Sequence, residues 1–340
     1  MVDPSFWLPV IWAVLAAMAI LIYVLLDGFD LGVGILFLGE RNHDHRNTMV
    51  NTVAPVWDGN ETWMIFGGAA LYGVFPVAYG IILPALYLPI IGMLLALILR
   101  GVGFEFRFKM RSARSQWLWD NAFCYGSIVA AFCQGLILGT LIQGIPVRNN
   151  VFVGGSLDWA TPFAAFCGVA VVIGYALLGS TWLVWRTDGE LHDTFRKVSM
   201  PLAAVVFALI VLASLWTPHL HADYMLKWTE WPQIALVLPV PVAVVGLGIV
   251  LGWSLTRPSI HILPFACAIG WFFLCFSGLG INIWPHIVPP SITIWQASSP
   301  PSSQAFVLVG AMFLLPTIIG YTLYSYYVFR GKVTAEQHYH

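Results

Sequence analysis

FWLPVIWAVLAAMAILIYVLLDGFDLGVGILFL, residues 6–38, decides the fold. Its only charges are Asp27 and Asp30, and it is longer than the roughly 20 apolar residues a membrane-spanning helix needs. As one helix it would extend about 50 Å. It is therefore expected to tilt, to bend near Gly28, Gly32 and Gly34, or to protrude from the bilayer. The preceding residues carry Asp3 and no basic stretch, so this start reads as a first membrane segment rather than a cleaved signal.

Working outward, eight further apolar windows follow, at 50–75, 79–100, 120–143, 160–186, 197–216, 232–254, 262–284 and 304–329. Composition agrees with nine spans. Hydrophobic residues make up 59% of the 340-residue chain and charged residues 9%, where about 25% is usual in soluble proteins. So few charges cannot clothe a soluble surface, which excludes soluble enzymes, nucleic-acid binders and disordered chains. The fold class is an all-α integral membrane protein, one polytopic domain over 1–340. A faint duplication pairs Asp27-Gly28 with Asp188-Gly189, giving repeats at 1–143 and 160–284 and a last helix at 304–329.

Charge placement sets the orientation. With nine spans, thirteen of the 15 Lys and Arg residues fall on one side, leaving Arg148 and Lys227 on the other. The positive-inside rule then puts the N-terminus outside and the C-terminus in the cytoplasm. The segment 101–119 reads as the most basic inner loop, a topology signal rather than a lipid-headgroup contact. The outer segments 144–159 and 285–303, rich in Pro and Ser, read as irregular caps.

Acids inside membrane segments are costly and mark candidate sites. Asp27 and Asp30 on the first helix, and Asp58 and Glu61 on the second, are each spaced i,i+3 and so share a face. Asp30 lies roughly 16 Å along its helix from Arg41, and Glu61 about as far from Val50. Glu105 follows the third helix on the same side. These carboxyls all enter the cytoplasmic half. Two readings stand: Arg100, Arg107, Asn51 and Asn60 neutralise and hold them as structural groups, or they form a proton or cation path open to the cytoplasm.

The nine histidines fall in loops, at helix ends or in the tail, including His338 and His340, which disfavours haem ligation within the bilayer. The five cysteines lie in apolar runs without CxxC spacing and read as buried small hydrophobes; no metal site is expected. Trp7, Trp12, Trp182, Trp185, Trp228, Trp231, Trp284 and Trp295 read as an interfacial belt. Trp57 and Trp63 flank Asp58 and either pack or line an apolar tunnel or quinone contact. The glycines of GFDLGVG read as helix-packing positions.

DGFDLGVG at 27–34, NTVAPVWDGNETW at 51–63, RGVGFEFR at 100–107 and GELH at 189–192 closely resemble the second subunit of cytochrome bd-type quinol oxidases. The resemblance spans essentially the whole chain, and the short length is similar to the cyanide-insensitive branch. It implies two four-helix bundles plus a peripheral helix. It also implies a bacterial inner-membrane subunit, paired with a haem-bearing subunit I and, in some relatives, a small third subunit. That complex oxidises quinol and reduces dioxygen with cytoplasmic protons, which builds proton motive force. Two haems b and one haem d are implied in the partner and none ligated by this chain; some relatives also hold a quinone here. Position by position, Asp58 and Glu105 are similar to proton-pathway residues, some relatives having Asp at the second, and Trp63 to a residue on the oxygen route. Asp27, Asp30 and Glu61 match the signature with a less definite role. The rival readings are a proton- or cation-coupled secondary transporter and a purely structural assembly subunit.

Overall fold

The structure, a computed structural model, describes residues 3–110 and 112–333; Arg111, His338 and His340 lie outside them. The order is α1 (Pro4–Leu36), α2 (His43–Val53), α3 (Trp57–Val74), α4 (Pro76–Arg107), α5 (Ala113–Gln143), β1 (Val147–Arg148), β2 (Val151–Phe152), α6 (Pro162–Arg186) and α7 (Gly189–Trp216). A 3-10 turn at Thr217–His219 leads to α8 (Ala222–Thr229), α9 (Ile234–Val237), α10 (Pro239–Leu255), α11 (Leu263–Ile283), β3 (His286–Val288), β4 (Ile292–Thr293), α12 (Ile294–Ala297) and α13 (Pro301–Val328). Proline opens several long helices, among them α1, α4, α6 and α13, where its missing N–H costs nothing. Thr161 caps α6 by accepting from the amide of Ala164 at 3.1 Å.

Among the described residues seven helices are long and apolar enough to cross a membrane: α1, α4, α5, α6, α7, α11 and α13. The expected segments 50–75 and 232–254 are broken instead. Pro55 has no N–H to carry the α2 ladder onward and Val56 leaves helical dihedrals at φ −125°, so the first of them divides into α2 and α3. Pro232 and Pro239 break up the second, leaving the 17-residue α10, which Pro239 opens. The region 101–119 is not one long loop. The α4 helix continues to Arg107 and α5 begins at Ala113, because Arg107 is buried against Asp120 rather than solvated. The caps at 144–159 and 285–303 are not wholly irregular, since each holds a short antiparallel hairpin.

In one set of four, α1 packs on α3 and α5, and α4 on α5 and α3. In a second set, α6 packs on α7 and α11, and α10 on α11 and α7. The two sets join where α6 lies on α1 and α5, and α13 leans on α3 and α1 from outside. Glycine makes that junction possible. A Cβ on Gly32 would lie 1.9 Å from the Tyr175 carbonyl oxygen, and one on Gly179 would lie 2.4 Å from the Gly32 carbonyl carbon. The α1 and α6 backbones therefore touch with no side chain between them. The α1 backbone stays helical from end to end, so its glycines serve this approach and not a break. Beside it, Phe29 stacks on Trp182 at 4.1 Å between ring centroids. Trp12 and Trp182, expected at the interface, are core residues, bonded to the Gln304 carbonyl and to Thr52.

The last described residues strap onto the α6–α7 turn. The Val333 amide donates to the Arg186 carbonyl at 2.8 Å, and the Arg186 guanidinium donates to the Phe329 carbonyl at 2.6 Å. Lys332 pairs with Asp188 and lies 3.4 Å from His261 Nδ1. Burial and the facing Lys332 and His192 hold His261 below the usual histidine range, against a smaller opposing pull from Asp188 and the Val184 carbonyl.

Replacing Gly32 by Leu is expected to cost more than about 3 kcal/mol, because backbone stands where the side chain would go. Gly310→Leu, at a position with open space, should leave the melting temperature of the extracted protein unchanged. For the strap the sign is also fixed. Docking disfavours protonated His261, so the docked state is complete above the free-histidine value and loses hold as pH falls through it. Exchange of the Val333 amide, corrected for intrinsic rate, should be faster near about pH 5.5 than near about pH 7.5. In His261→Gln the difference should vanish.

Candidate functional site

Three of the acids expected from sequence meet in the first helix set. Asp27 and Asp30, one turn apart on α1, are buried, and Glu61 approaches from α3. Arg100 on α4 is 2% exposed and is the counter-charge of the cluster. Its Nη2 lies 2.9 Å from Asp27 Oδ1, and the same nitrogen donates to Glu61. The guanidinium also lies over the Trp57 ring, 5.6 Å from its centroid. Asp30 is held differently. Asn60 donates through Nδ2 to Asp30 Oδ2 at 2.7 Å, and the Tyr326 hydroxyl on α13 donates to Asn60 Oδ1 at 3.0 Å.

A polar chain leads away from Asp27 into the helix set. The Tyr23 hydroxyl faces Asp27 and accepts from Gln134 Nε2 at 2.7 Å; Gln134 Oε1 in turn accepts from the Tyr175 hydroxyl at 2.7 Å. This links α1, α5 and α6 through groups that hydrocarbon could not satisfy.

Arg107 does not join the acid cluster. It pairs with Asp120 and donates to Asn47 at 2.6 Å. Arg46 reaches Asp120 at 2.9 Å and the carbonyls of Glu40 and Phe37 at 2.7 and 3.0 Å. That second cluster covers the carbonyl end of α1, where cations are favoured by the helix dipole.

Asp58 and Glu105 are not drawn into either cluster. Asp58 stands exposed in the first turn of α3, and Glu105 is exposed in the last turns of α4. Gly101, one turn before Glu105 and on the same face, lies against the Trp57 ring next to Asp58. Trp63 is 2% exposed and packs in the core with Trp12 and Phe66; its indole N–H has no hydrogen-bond partner among the described residues.

Sequence reasoning found the acids, Arg100 and Asn60, and missed Asp120, Asn47, Tyr23, Gln134, Tyr175 and Tyr326. Gln134, a lone amide within an apolar run, was the available signal. The donor set does not fit haem ligation inside the helix set. The described histidines lie in α2, in loops or at helix ends, and the interior beside Asp27 is filled by Arg100, Tyr23, Gln134 and Tyr175. Among the described residues no group of three or more His, Cys, Asp and Glu is arranged to hold a metal. Four of the cysteines are buried and Cys275 is exposed.

Chemically, the Arg100 guanidinium balances Asp27 and Glu61, Asn60 holds Asp30, and the hydrogen-bonded shell fixes all three carboxyls in place. Removing Arg100 alone would leave buried carboxylates without a counter-charge. Arg100→Met is expected to cost about 3–5 kcal/mol, read as lost yield and a lower melting temperature. Adding Asp27→Asn and Glu61→Gln to it should recover most of that loss.

Comparison with known proteins places these residues in a family context. The model of the family described as cytochrome bd terminal oxidase subunit II matches residues 8–329. The chain is 30% identical to cytochrome bd-I ubiquinol oxidase subunit 2 of Escherichia coli (strain K12), over 96% of this chain and 95% of that one. It is also 30% identical to cytochrome bd ubiquinol oxidase subunit 2 of Bacillus subtilis (strain 168), over 96% and 97%. Among solved structures, a chain of the bd oxidase from Geobacillus thermodenitrificans superposes with a TM-score of 0.76 at 18% identity, covering 96% of this chain and all of the other.

Proposed function

This chain belongs to the family of cytochrome bd terminal oxidase subunit II, and from that premise we propose that it is the non-haem subunit of a quinol-oxidising, oxygen-reducing complex of the bacterial respiratory chain. It is a multi-pass protein of the inner membrane and works with a haem-bearing subunit I, which carries two haems b and one haem d. A small third subunit and a bound quinone, as in some relatives, are compatible with this reading. The observation that carries it is the family match over nearly the whole chain, joined to acids that stand on membrane helices in two distinct settings.

Asp58 and Glu105 serve as the proton pathway. An exposed carboxyl on a membrane helix would face lipid if the chain stood alone, which is costly. Both carboxyls therefore lie against subunit I, where the oxygen site draws its protons. Trp63, behind Asp58 in the core, lines the oxygen route. The thirteen basic residues support a cytoplasmic side for the ends of α3 and α4 that carry these acids, with the N-terminus outside. The broken segments containing α3 and α10 cross with the seven long helices, making nine crossings. The two sets of four are then the repeats 1–143 and 160–284, with α13 peripheral. Protons taken from the cytoplasm for water formation, against protons released outside by quinol, generate proton motive force.

A specific observation favours a structural part for Asp27, Asp30 and Glu61. Arg100 and Asn60 hold all three, which tightens the packing of α1 on α3 and α4. These acids act as a positioned reserve behind the pathway and stabilise the subunit that supports the haem partner. A secondary transporter would instead need substrate-coupling acids at broken helices near the midplane of both repeats. The second helix set carries acids only in the first turns of α7, at Glu190 and Asp193, and none deeper in its spans.

In the assembled complex with unchanged haem content, Asp58→Asn should slow oxygen consumption by about a hundredfold, the scale of a lost proton-transfer group. Glu105→Gln should do the same, and Glu105→Asp should keep part of the rate. Wild-type turnover in an intact Asp58→Asn complex removes this residue from the path.

A further inference from the structure

Several helical threonines of this chain follow one habit. Thr140, Thr181 and Thr317 each donate to the carbonyl four residues earlier, at 2.9, 2.8 and 2.8 Å. This back-bonding is how a hydroxyl is satisfied inside a membrane helix. The Thr322 hydroxyl on α13 is buried, yet it has no hydrogen-bond partner among the described residues. Native proteins rarely leave such a group unpaired. Thr322 lines a small cavity between α13 and the start of α3, walled by Pro55, Gly59, Asn60, Ser325 and Tyr326.

The cavity leaves about 10 Å³ for the centre of a water molecule, the size that suits one water. Its walls also supply the two to four polar partners a buried water needs. Thr322 and Tyr326 are one turn apart on the same face of α13. The Tyr326 hydroxyl, having donated to Asn60 Oδ1, still has lone pairs to accept with. The α3 helix begins there without a side-chain cap, so its first amides have no intrahelical partner.

We propose that this cavity is a binding site for a single water molecule that accepts from Thr322 Oγ1 and donates to the Tyr326 hydroxyl, so that α13 completes the hydrogen-bond shell of Asp30. The order is Thr322, water, Tyr326, Asn60, Asp30. Tyr326 is a positioning residue in it: by donating to Oδ1 it turns the Asn60 amide so that Nδ2 faces Asp30. No bond is made or broken. The water transmits the placement of the last helix to the buried acid. Its effect on turnover rests on the reading that the acid cluster stands as a reserve behind the proton pathway, whereas the site itself does not.

The test is a cryo-EM map of the assembled complex at a resolution that shows ordered water, followed by oxygen consumption of variants with equal haem content. Density about 2.7–3.0 Å from both Thr322 Oγ1 and the Tyr326 hydroxyl is expected, and its absence overturns the site. Thr322→Val should remove the density and slow oxygen consumption by about fivefold, the factor set by one hydrogen bond of ordinary net strength. Thr322→Ser, which keeps the hydroxyl, should restore both. If Thr322→Val does not assemble, Thr322→Ala removes the same hydroxyl and is read in the same way. Density lost with turnover unchanged overturns the link to the acid cluster, and full-speed Asp58→Asn overturns the proton-pathway reading, while the density alone decides the water.

Discussion

One guanidinium organises the first helix set. Arg100 is almost fully buried and holds Asp27 and Glu61 through a single nitrogen. A charge in that position is tolerable only with partners in place, and the partners come from two other helices. The packing of α1, α3 and α4 is therefore coupled to an electrostatic condition that must be met when the chain folds. Asn60 and Tyr326 extend the condition to the last helix, and Tyr23 with Gln134 extends it to α5 and α6. The polar groups in this core thus specify which helices are neighbours, a task that apolar side chains in lipid perform weakly.

The acids divide by environment in a way their spacing does not reveal. Asp58 and Glu61 sit one turn apart on α3, yet Glu61 reaches Arg100 while Asp58 stands on the surface of the chain. The i,i+3 rule gives a shared side of the helix and not a shared partner. The difference matters for chemistry. A carboxyl locked to a guanidinium is a poor carrier, whereas one on the surface is free to exchange protons with whatever groups come to face it.

Much of this was legible before any coordinates. Apolar run lengths located the long helices, and the glycines of GFDLGVG pointed to a close helix approach, which Gly32 and Gly179 make. What failed did so for physical reasons. RGVGFEFR looks like a loop because it is rich in charge and glycine, but Arg107 finds Asp120 on the next helix and stays helical and buried. Tyr326 lies 266 residues from Asn60, and no local period announces such a pairing. Trp12 and Trp182 match the composition of an interfacial belt, but their indole nitrogens find Gln304 and Thr52 inside the protein.

The contact of Gly32 with Gly179 has a mechanical meaning. Two helices separated by side chains can slide or roll, because rotamers repack as they move. Two backbones in direct contact have no such lubricant, since any rotation drives the first Cβ or carbonyl of one into the other. The junction between the two helix sets therefore acts as a rivet and not a hinge. A machine that works by rocking one half against the other would need its pivot elsewhere than at this junction.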